Sequence, residues 1–318
     1  MQRITALAGG IGGARFLRGL RRAAPDAEIT VIGNTADDIV LHGLYISPDL
    51  DTVMYTLGGG VHESQGWGRD TETFSVAGEL AAYGAQPDWF TLGDRDIATH
   101  ILRTEMLGAG YSLSAVTEAL CDRWQPGIRL IPMTDDRVQT HVVIDDGEGA
   151  RAVHFQEWWV RLHAKVPAER IVIVGVDEAT AAPGVLEAIA DADVVLLPPS
   201  NPVVSIGPIL AVAGVRDGLR VTSAPVVGVS PIISGAPVRG MADACLTAIG
   251  VETSAAAVAG LYSDFLDGWL VDESDAASVD VVEQGGVRCI AVPLLMRDVE
   301  AAAAMARHAL DLAADLGS

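Results

Sequence analysis

Short apolar runs recur along the 318-residue chain and alternate with longer segments of helical periodicity. Several of these runs show no alternation of polar and apolar residues, which is typical of strands that are covered on both faces in a parallel sheet. The predicted strands are 4–8, 29–32, 142–144, 171–174, 194–197, 226–229, 268–271 and 289–292. Helical patterns at 183–190, 241–249 and 299–316 lie between or after them. The pattern therefore predicts a Rossmann-like, doubly wound α/β fold with a mostly parallel sheet.

One stretch, at about 67–124, breaks this alternation. It predicts helices at 73–83, 96–105 and 113–123 and gives little strand signal. We interpret it as a mainly helical insertion or cap over one edge of the sheet. Because no repeat, low-complexity tract or long linker marks a boundary, we predict a single α/β domain over residues 1–318.

Composition and charge narrow the possible partners. Half of the residues are hydrophobic and the formal net charge is −21, so the chain can bury a large core. An acidic surface disfavours binding to nucleic acid or to an anionic membrane. The three cysteines are far apart in sequence, which is typical of free thiols in a reducing compartment. With neither a secretory signal nor an apolar run of membrane-spanning length, we expect a cytoplasmic protein.

Four glycines between residues 9 and 13 follow the first predicted strand and open a helix. Such a loop offers backbone N–H groups to a phosphate, and the helix adds its positive end. Gly10 and Gly12 fit the first two positions of a dinucleotide-binding G-x-G-x-x-G unit, but Arg15 occupies the third, and Asn34 stands where an acid would bind ribose. A nicotinamide cofactor is therefore disfavoured. A plain strand-to-helix turn is the structural alternative.

Acidic residues concentrate after the second predicted strand. Asp37, Asp38, Asp49 and Asp51 fall within fifteen residues, flanked by turn-forming residues that place them on the loop face of the sheet. Carboxylates beside a phosphate loop suit Mg²⁺, which uses one or two carboxylates together with ligand phosphates. Alternatively, Asp37 caps a helix and the later aspartates stabilise a turn. We expect Asp51 on an exposed loop, so that Asp51→Asn would abolish activity and leave the fold intact.

Other loops at predicted strand ends carry candidate ligand contacts. Arg95 can form a fork with a phosphate or a planar ligand, while Asp96 is predicted as a helix N-cap. Two proline-rich loops, at 198–209 and 230–240, have the composition of a rigid pocket rim. The seven histidines show no metal-ligand spacing and are interpreted as structural or solvated. Candidate binding residues at the strand ends are Asn34, Thr35, Ser200, Asn201, Ser205, Gly207 and Ser230.

Six motifs in order resemble those of the 2-phospho-L-lactate transferase family of coenzyme F-420 biosynthesis, nearly from end to end. They are Gly9 to Gly13, Asp37-Asp38, Ser47 to Thr52, Gly93 to Asp96 with Ala98-Thr99-His100, Ser200 to Pro202 with Ser205 to Pro208, and Ser230 to Ile233. The chain resembles the actinobacterial phosphoenolpyruvyl transferase branch of this family more closely still. Three further motifs carry this resemblance: Gly66 to Gly68, Arg123 to Gly127 and His154 to Trp159.

The resemblance implies a reaction and a set of site residues. A guanosine-diphosphate-linked donor would transfer its phosphoenolpyruvyl or 2-phospho-L-lactyl group to the ribityl hydroxyl of the deazaflavin 7,8-didemethyl-8-hydroxy-5-deazariboflavin, with release of GMP. Asp37 and Asp51 would hold Mg²⁺, Asp51 would also act catalytically near the attacking hydroxyl, and Asp94 and Arg95 would line the acceptor pocket. The donor would be surrounded by Gly10, Gly12, Ser200, Asn201, Ser205 and Gly207. A homodimer is also implied.

Two other functions stay open from the residues alone. One is an NAD(P)- or deazaflavin-dependent oxidoreductase, which Arg15 and Asn34 disfavour. The other is a noncatalytic guanine-nucleotide-binding protein of the same fold. Phosphoryl transfer depends on positioning and charge neutralisation, so an acidic cluster beside a glycine loop favours the transferase.

Overall fold

The computed structural model describes residues 1–147 and 149–317. Within these ranges the strands are β1 (Arg3–Ala8), β2 (Glu28–Gly33), β3 (Ile39–Leu41), β4 (Leu44–Ile46), β5 (Arg129–Pro132), β6 (Gln139–Asp145), β7 (Ala150–His154), β8 (Ala168–Val174), β9 (Val194–Leu197), β10 (Val226–Val229), β11 (Ile232–Ile233), β12 (Ala236–Pro237), β13 (Gly268–Val271) and β14 (Arg288–Ala291).

The α-helices in the same ranges are α1 (Gly10–Ala23), α2 (Pro48–Leu57), α3 (Ser75–Ala82), α4 (Asp94–Gly108), α5 (Leu113–Trp124), α6 (Val185–Ala190), α7 (Gly207–Ala211), α8 (Val215–Val221), α9 (Ala242–Ala248), α10 (Ala255–Gly260), α11 (Ser278–Gln284) and α12 (Val299–Leu316). Short 3₁₀ or π turns span Glu157–Arg161, Val176–Glu178, Pro202–Ile206 and Glu273–Asp275.

A parallel sheet with the strand order β14-β13-β10-β9-β1-β2-β5 forms the centre of the molecule. Along β9, Val194 and Leu196 join one apolar cluster, whereas Val195 and Leu197 join another. Both faces of the sheet are therefore covered, which explains the apolar runs without alternation. From β1 the chain builds one side of the sheet through β2 to β5, then returns to build the other side from β9. The predicted Rossmann-like, doubly wound α/β fold is confirmed.

Two of the predicted strands lie elsewhere. The runs at 142–144 and 171–174 belong to β6 and β8, which form a separate antiparallel sheet of order β7-β6-β8. Along β6, buried Thr140, Val142 and Ile144 alternate with less buried neighbours, so the full strand has the pattern of a sheet covered on one face. The short apolar core of this strand hides that alternation. Conversely, β5 at the edge of the main sheet was missed, because only Leu130 and Ile131 form its apolar run.

The helices of the 67–124 stretch lie close to their predicted positions. Here α3, α4 and α5 follow one another, and α5 packs against the edge strand β5. The prediction of Asp96 as an N-cap is wrong: α4 begins at Asp94 with Gly93 in the cap position. Asp96 lies inside the first turn, where its side chain can point towards the core.

Two further observations concern the whole described chain. No helix within residues 1–147 and 149–317 is long and apolar enough to cross a bilayer. Cys121, Cys245 and Cys289 are free thiols, and burial raises the pKa of each to about 12. Such thiols stay protonated at neutral pH and are poor nucleophiles.

Candidate functional site

The order of the sheet reverses between β1 and β9, and the loops that follow these two strands meet there. The Gly9 N–H donates to the Ser200 hydroxyl (3.2 Å), which itself donates to the Gly9 carbonyl oxygen (2.8 Å). A Cβ on Gly12 would overlap the carbonyl oxygen of Pro199, so only glycine allows this close approach. Ser205 is buried against Gly9. The glycine loop and the first proline-rich loop thus form one crevice at the position where doubly wound folds bind ligands.

Asp49 lies directly against the glycine loop. It occupies the first turn of α2 and accepts hydrogen bonds from the Asn34 side-chain amide (2.9 Å) and from the N–H of Gly10, whose φ of +63° requires glycine. The prediction that the loop leaves its N–H groups free is therefore wrong for Gly9 and Gly10. Burial raises the pKa of Asp49 to about 6, although the two hydrogen bonds oppose this shift.

Asp37 and Asp38 are buried beside Asp49 at the end of β2. Within the described residues, one oxygen of each carboxylate and the hydroxyl of Thr35 have no hydrogen-bond partner. The other oxygen of Asp38 accepts from Ser47 (2.8 Å). Burial raises the pKa of Asp37 well above its usual range, and the nearby charges of Asp49 and Asp38 raise it further. Burial also raises the pKa of Asp38, but the positive charge of Arg103 opposes part of that rise, whereas no cation of the described residues does the same for Asp37.

Asp51, two residues after Asp49, has a different environment. Both of its oxygens accept hydrogen bonds from the guanidinium of Arg103, one of them at 3.0 Å, and both residues are buried. His100 lies 3.8 Å from Asp51 and 3.4 Å from Asp96, which also accepts the Tyr55 hydroxyl at 2.6 Å. Burial lowers the pKa of Arg103, but the Asp51 charge outweighs it and the net shift is upward. Arg103 thus compensates the charge of Asp51 within the chain.

The surroundings of Asp51 correct the expectation that this residue is exposed, and they add Arg103 and His100 to the candidate site. Asp51 does not lie on an exposed loop but is 4% exposed within α2, so the premise from which Asp51→Asn was expected to leave the fold intact is wrong, and the effect of that substitution on the fold stays a prediction. Sequence reasoning missed Arg103 and gave His100 no special place. Their spacing was a usable signal, because Asp96, His100 and Arg103 are separated by four and three residues and share one face of α4.

The carboxylates of Asp37 and Asp49 have the chemistry of Mg²⁺ ligands. No group of three or more His, Cys, Asp or Glu side chains with metal-binding geometry occurs in residues 1–147 and 149–317. Mg²⁺ bound with a phosphorylated substrate needs only one or two carboxylates, and Asp37 offers a buried oxygen without a partner close to Asp49. These residues fit the ion. Asp51 as a metal ligand stays a prediction, and it would require Arg103 to release an oxygen.

The predicted acceptor residues already have partners within the chain. Asp94 accepts from the Thr73 hydroxyl and from two backbone N–H groups at the start of α3, which lower its pKa to about 2. Arg95 is exposed and donates to the Thr71 hydroxyl at 2.6 Å. Both residues hold α4 against the segment before it, and their contact with an acceptor stays a prediction.

The remaining candidates lie at the carboxyl edge of the sheet and in the loops that follow it. Asn201 caps the short helix Pro202–Ile206 through two backbone N–H groups, and Gly207 follows directly and begins α7. The Ser230 hydroxyl donates to the Ile232 carbonyl oxygen at 3.0 Å and closes the turn after β10. These contacts stiffen the rim of the crevice, while ligand binding by these side chains stays a prediction.

Comparison with known proteins places this geometry in a family. A family model described as 2-phospho-L-lactate transferase CofD matches residues 4–295. The chain belongs to this family. Proteins named phosphoenolpyruvate transferase from Streptomyces griseus and Streptomyces coelicolor are each 67% identical to it, over 99% of this chain and 99% of their own length. One of the same name from Mycolicibacterium smegmatis is 58% identical over 98% of each chain.

A solved structure agrees on the fold. A Bacillus halodurans protein of the UPF0052 family superposes with a TM-score of 0.63 at 18% identity and covers 98% of this chain and 100% of its own. At that identity the likeness concerns the fold alone. The family match and the close relatives confirm the prediction of a transferase from the 2-phospho-L-lactate transferase family of coenzyme F-420 biosynthesis. The oxidoreductase and the noncatalytic alternatives receive no support.

Proposed function

We propose that this transferase moves a phosphoenolpyruvyl group from a guanosine-diphosphate-linked donor to the ribityl hydroxyl of 7,8-didemethyl-8-hydroxy-5-deazariboflavin. The hydroxyl oxygen bonds to the outer phosphorus, the bond from that phosphorus to the bridging oxygen breaks, GMP leaves with the electron pair, and the hydroxyl proton is lost. The name shared by the close relatives supports the enolpyruvyl donor over the 2-phospho-L-lactyl donor, a choice that the sequence left open.

The observation that carries this proposal is the buried Asp37 oxygen without a partner, beside Asp49 and the glycine loop. A strand exit at a sheet reversal suits a diphosphate. Here, however, the Asp49 carboxylate already lies on that loop and would repel one. A divalent cation resolves the conflict, and we propose Mg²⁺ held by Asp37 and Asp49, with Asp51 as a further predicted ligand. When bound, Mg²⁺ neutralises phosphate oxygens and stabilises the charge on the leaving group.

The chain's own residues would position the reactants. Gly10 leaves open space through which the donor would approach the backbone, while Gly12 and Ser200 hold the two loops together beside it. Asp51 is the proposed catalytic residue that orients the attacking hydroxyl, and Arg103 fixes the direction of its carboxylate. The deazaflavin would lie towards Asp94 and Arg95 on α4. A homodimer is proposed from the resemblance alone.

One experiment tests the reaction directly. The protein is incubated with the deazaflavin, Mg²⁺ and each donor in turn, and the product is identified by mass spectrometry while GMP is measured by chromatography. We expect product from the enolpyruvyl donor, and a loss of about 100-fold or more in kcat for Asp37→Asn. Glu300→Gln, at an exposed carboxylate on α12, is the matched control and should keep wild-type turnover. A wild-type protein that binds GDP but forms no product would refute the proposal.

A further inference from the structure

Arg15 on α1 is a half-buried cation without an anion. It follows the glycine loop by less than two helical turns. Within residues 1–147 and 149–317 no carboxylate lies within 4.0 Å of its guanidinium and no acceptor binds it, whereas the exposed Arg220 is paired with Asp264. Burial lowers the pKa of Arg15, and the neighbouring charges of Arg239 and Arg18 lower it further. A guanidinium has five N–H donors, so its position suits an acceptor supplied from outside.

Two more arginines approach Arg15 from different directions. Arg18, one turn further along α1, is 2.6 Å from Glu63 and uses the one acid that also attracts Arg15. Arg239 follows the β11–β12 hairpin, and its guanidinium lies 5.3 Å from the centre of the exposed Trp67 ring. Arg15, Arg18 and Arg239 thus lie together in a chain whose net charge is −21, and among the described residues Arg18 is the one of the three that forms an ion pair.

The arginines border the glycine loop itself. A Cβ on Gly66, the residue before Trp67, would lie 2.8 Å from the Ile11 side chain and 3.4 Å from the Arg239 guanidinium. Arg239 therefore lies near Ile11 at the start of α1. A cavity of about 140 Å³ opens next to Arg15 and is lined by the cations of Arg18 and Arg297 and by the acids Glu63 and Asp298, while Arg239 lies outside this lining. That volume holds several water molecules and gives an oxyanion room beside Arg15.

Neighbouring acids do not cancel this charge. Asp298, which also lines the cavity, accepts the Ala301 N–H at 2.8 Å as the N-cap of α12. Glu63 is committed to Arg18. The cluster keeps excess positive charge near a loop whose other side carries Asp49, and so it supplies the attraction for an anion that Asp49 alone would repel.

We propose that Arg15 and Arg239, supported by Arg18, form an oxyanion-binding site for the anionic end of the donor, a group that carries phosphate and carboxylate oxygens. The guanidinium fork binds either oxyanion through two parallel hydrogen bonds. This inference rests on the proposed function for the identity of the donor. The site itself is defined by the arginines, so binding of a simple anion tests it separately from turnover.

The test compares Arg15→Gln and Arg239→Gln with Arg22→Gln, an exposed arginine on the same helix that pairs with Glu300. Calorimetry measures binding of inorganic pyrophosphate, GDP and phosphoenolpyruvate to each variant. We expect the first two variants to weaken binding of pyrophosphate or phosphoenolpyruvate about tenfold, and the control less than about twofold. Arg15→Lys should restore part of the loss, since it keeps the charge but not the fork.

The pattern of losses assigns the contacted group. Weaker binding of pyrophosphate and GDP indicates the donor phosphates, whereas weaker binding of phosphoenolpyruvate alone indicates the carboxylate. If none of the three anions binds more weakly to Arg15→Gln and Arg239→Gln than to the control, the inference is wrong even where wild-type transfer is observed. If wild-type protein transfers nothing but binds pyrophosphate through these arginines, the site stands and the proposed reaction fails. Circular dichroism spectra verify that each variant is folded.

Discussion

Two sets of buried carboxylates lie a few residues apart in this molecule and differ in what neutralises them. Asp51 is held by Arg103 and neighbours His100, so its charge is compensated within the chain. Asp37 and Asp49 are equally buried but lack a cation, and their pKa values rise. Because burial penalises both sets, the difference indicates that the charge of the first set is balanced within the chain, whereas the second set requires positive charge from a ligand.

The largest effect should come from breaking the compensated pair. Replacing Arg103 by Met leaves Asp51 buried without its partner, which typically costs about 3–5 kcal/mol in the free energy of unfolding. Urea unfolding at pH 7.5 measures the change. Arg22→Met, which removes an exposed ion pair, is the control and should cost less than about 1 kcal/mol.

A double variant separates charge from packing. Arg103→Met with Asp51→Leu replaces both partners by apolar groups and should recover most of the lost stability. Equal stability of wild type and Arg103→Met would mean that Asp51 is not held by that arginine in solution.

The second largest effect concerns the uncompensated pair. At about 100 times its dissociation constant, Mg²⁺ should stabilise the wild-type protein by about 2.7 kcal/mol, because it binds the folded state and not the unfolded one. Thermal unfolding with and without Mg²⁺ measures this gain. Asp37→Asn should lose most of it, whereas Tyr55→Phe, which alters the compensated network, should keep it. A gain of equal size in Asp37→Asn would exclude Asp37 as a ligand.

The pH dependence sharpens the comparison. The pKa of Asp49 is raised to about 6 in the folded protein, so its contribution to stability is complete below the unfolded value near 4 and is lost as pH rises through about 6. Asp49→Asn lacks this loss. In the absence of divalent ions the variant should therefore gain about 1.4 kcal/mol relative to wild type between pH 5 and pH 8.

Urea unfolding of both proteins at the two pH values tests this expectation. Both carry Asp37→Asn as well, because burial and the charge of Asp49 raise the pKa of Asp37, and the titration of Asp37 would not cancel in the difference. If the gap between the two proteins is the same at pH 5 and pH 8, Asp49 is not the titrating group.

The smallest effect is expected at the edge of the compensated network. Tyr55→Phe removes the hydroxyl that donates to Asp96, and the loss of one hydrogen bond to a charged group should cost about 1–2 kcal/mol at most. Burial, and secondarily the charges of Asp51 and Asp96, raise the pKa of Tyr55, so the hydroxyl stays protonated. Chemical unfolding measures the change, and a loss as large as that of Arg103→Met would show that Tyr55 also anchors the ion pair.

Much of the fold could be predicted from the chain because the central strands are apolar on both faces. The runs at 194–197 and 226–229 could hardly be anything other than interior strands. The assignment of 142–144 to the parallel sheet was wrong, because a three-residue window does not reveal whether a strand belongs to the parallel sheet or to a separate one. The edge strand β5 was missed for a different reason: although three of its four residues are buried, only Leu130 and Ile131 are strongly apolar, and that run is too short to predict a strand.

The site was less predictable. The acidic residues could be found by counting, but sequence could not say that Asp49 turns towards Asn34 and Gly10 while Asp51 turns towards Arg103. Their opposite directions follow from the helical start of α2, where residues two apart point about 200° from each other. The cation came from α4, more than fifty residues away, and only tertiary packing specifies that pairing.

The reversal of the sheet beside β1 has a consequence for how the protein is made. The crevice needs Gly9, which follows β1, and Ser200, which follows β9. Because these residues are 191 positions apart in sequence, the ribosome synthesises the two walls far apart in time. The first helix also needs the last one, since Gly19 packs directly on Ala302 of α12. A nascent chain therefore lacks the second wall of the crevice until Ser200 has been synthesised, and a product truncated before α12 lacks the helix that covers Gly19 of α1.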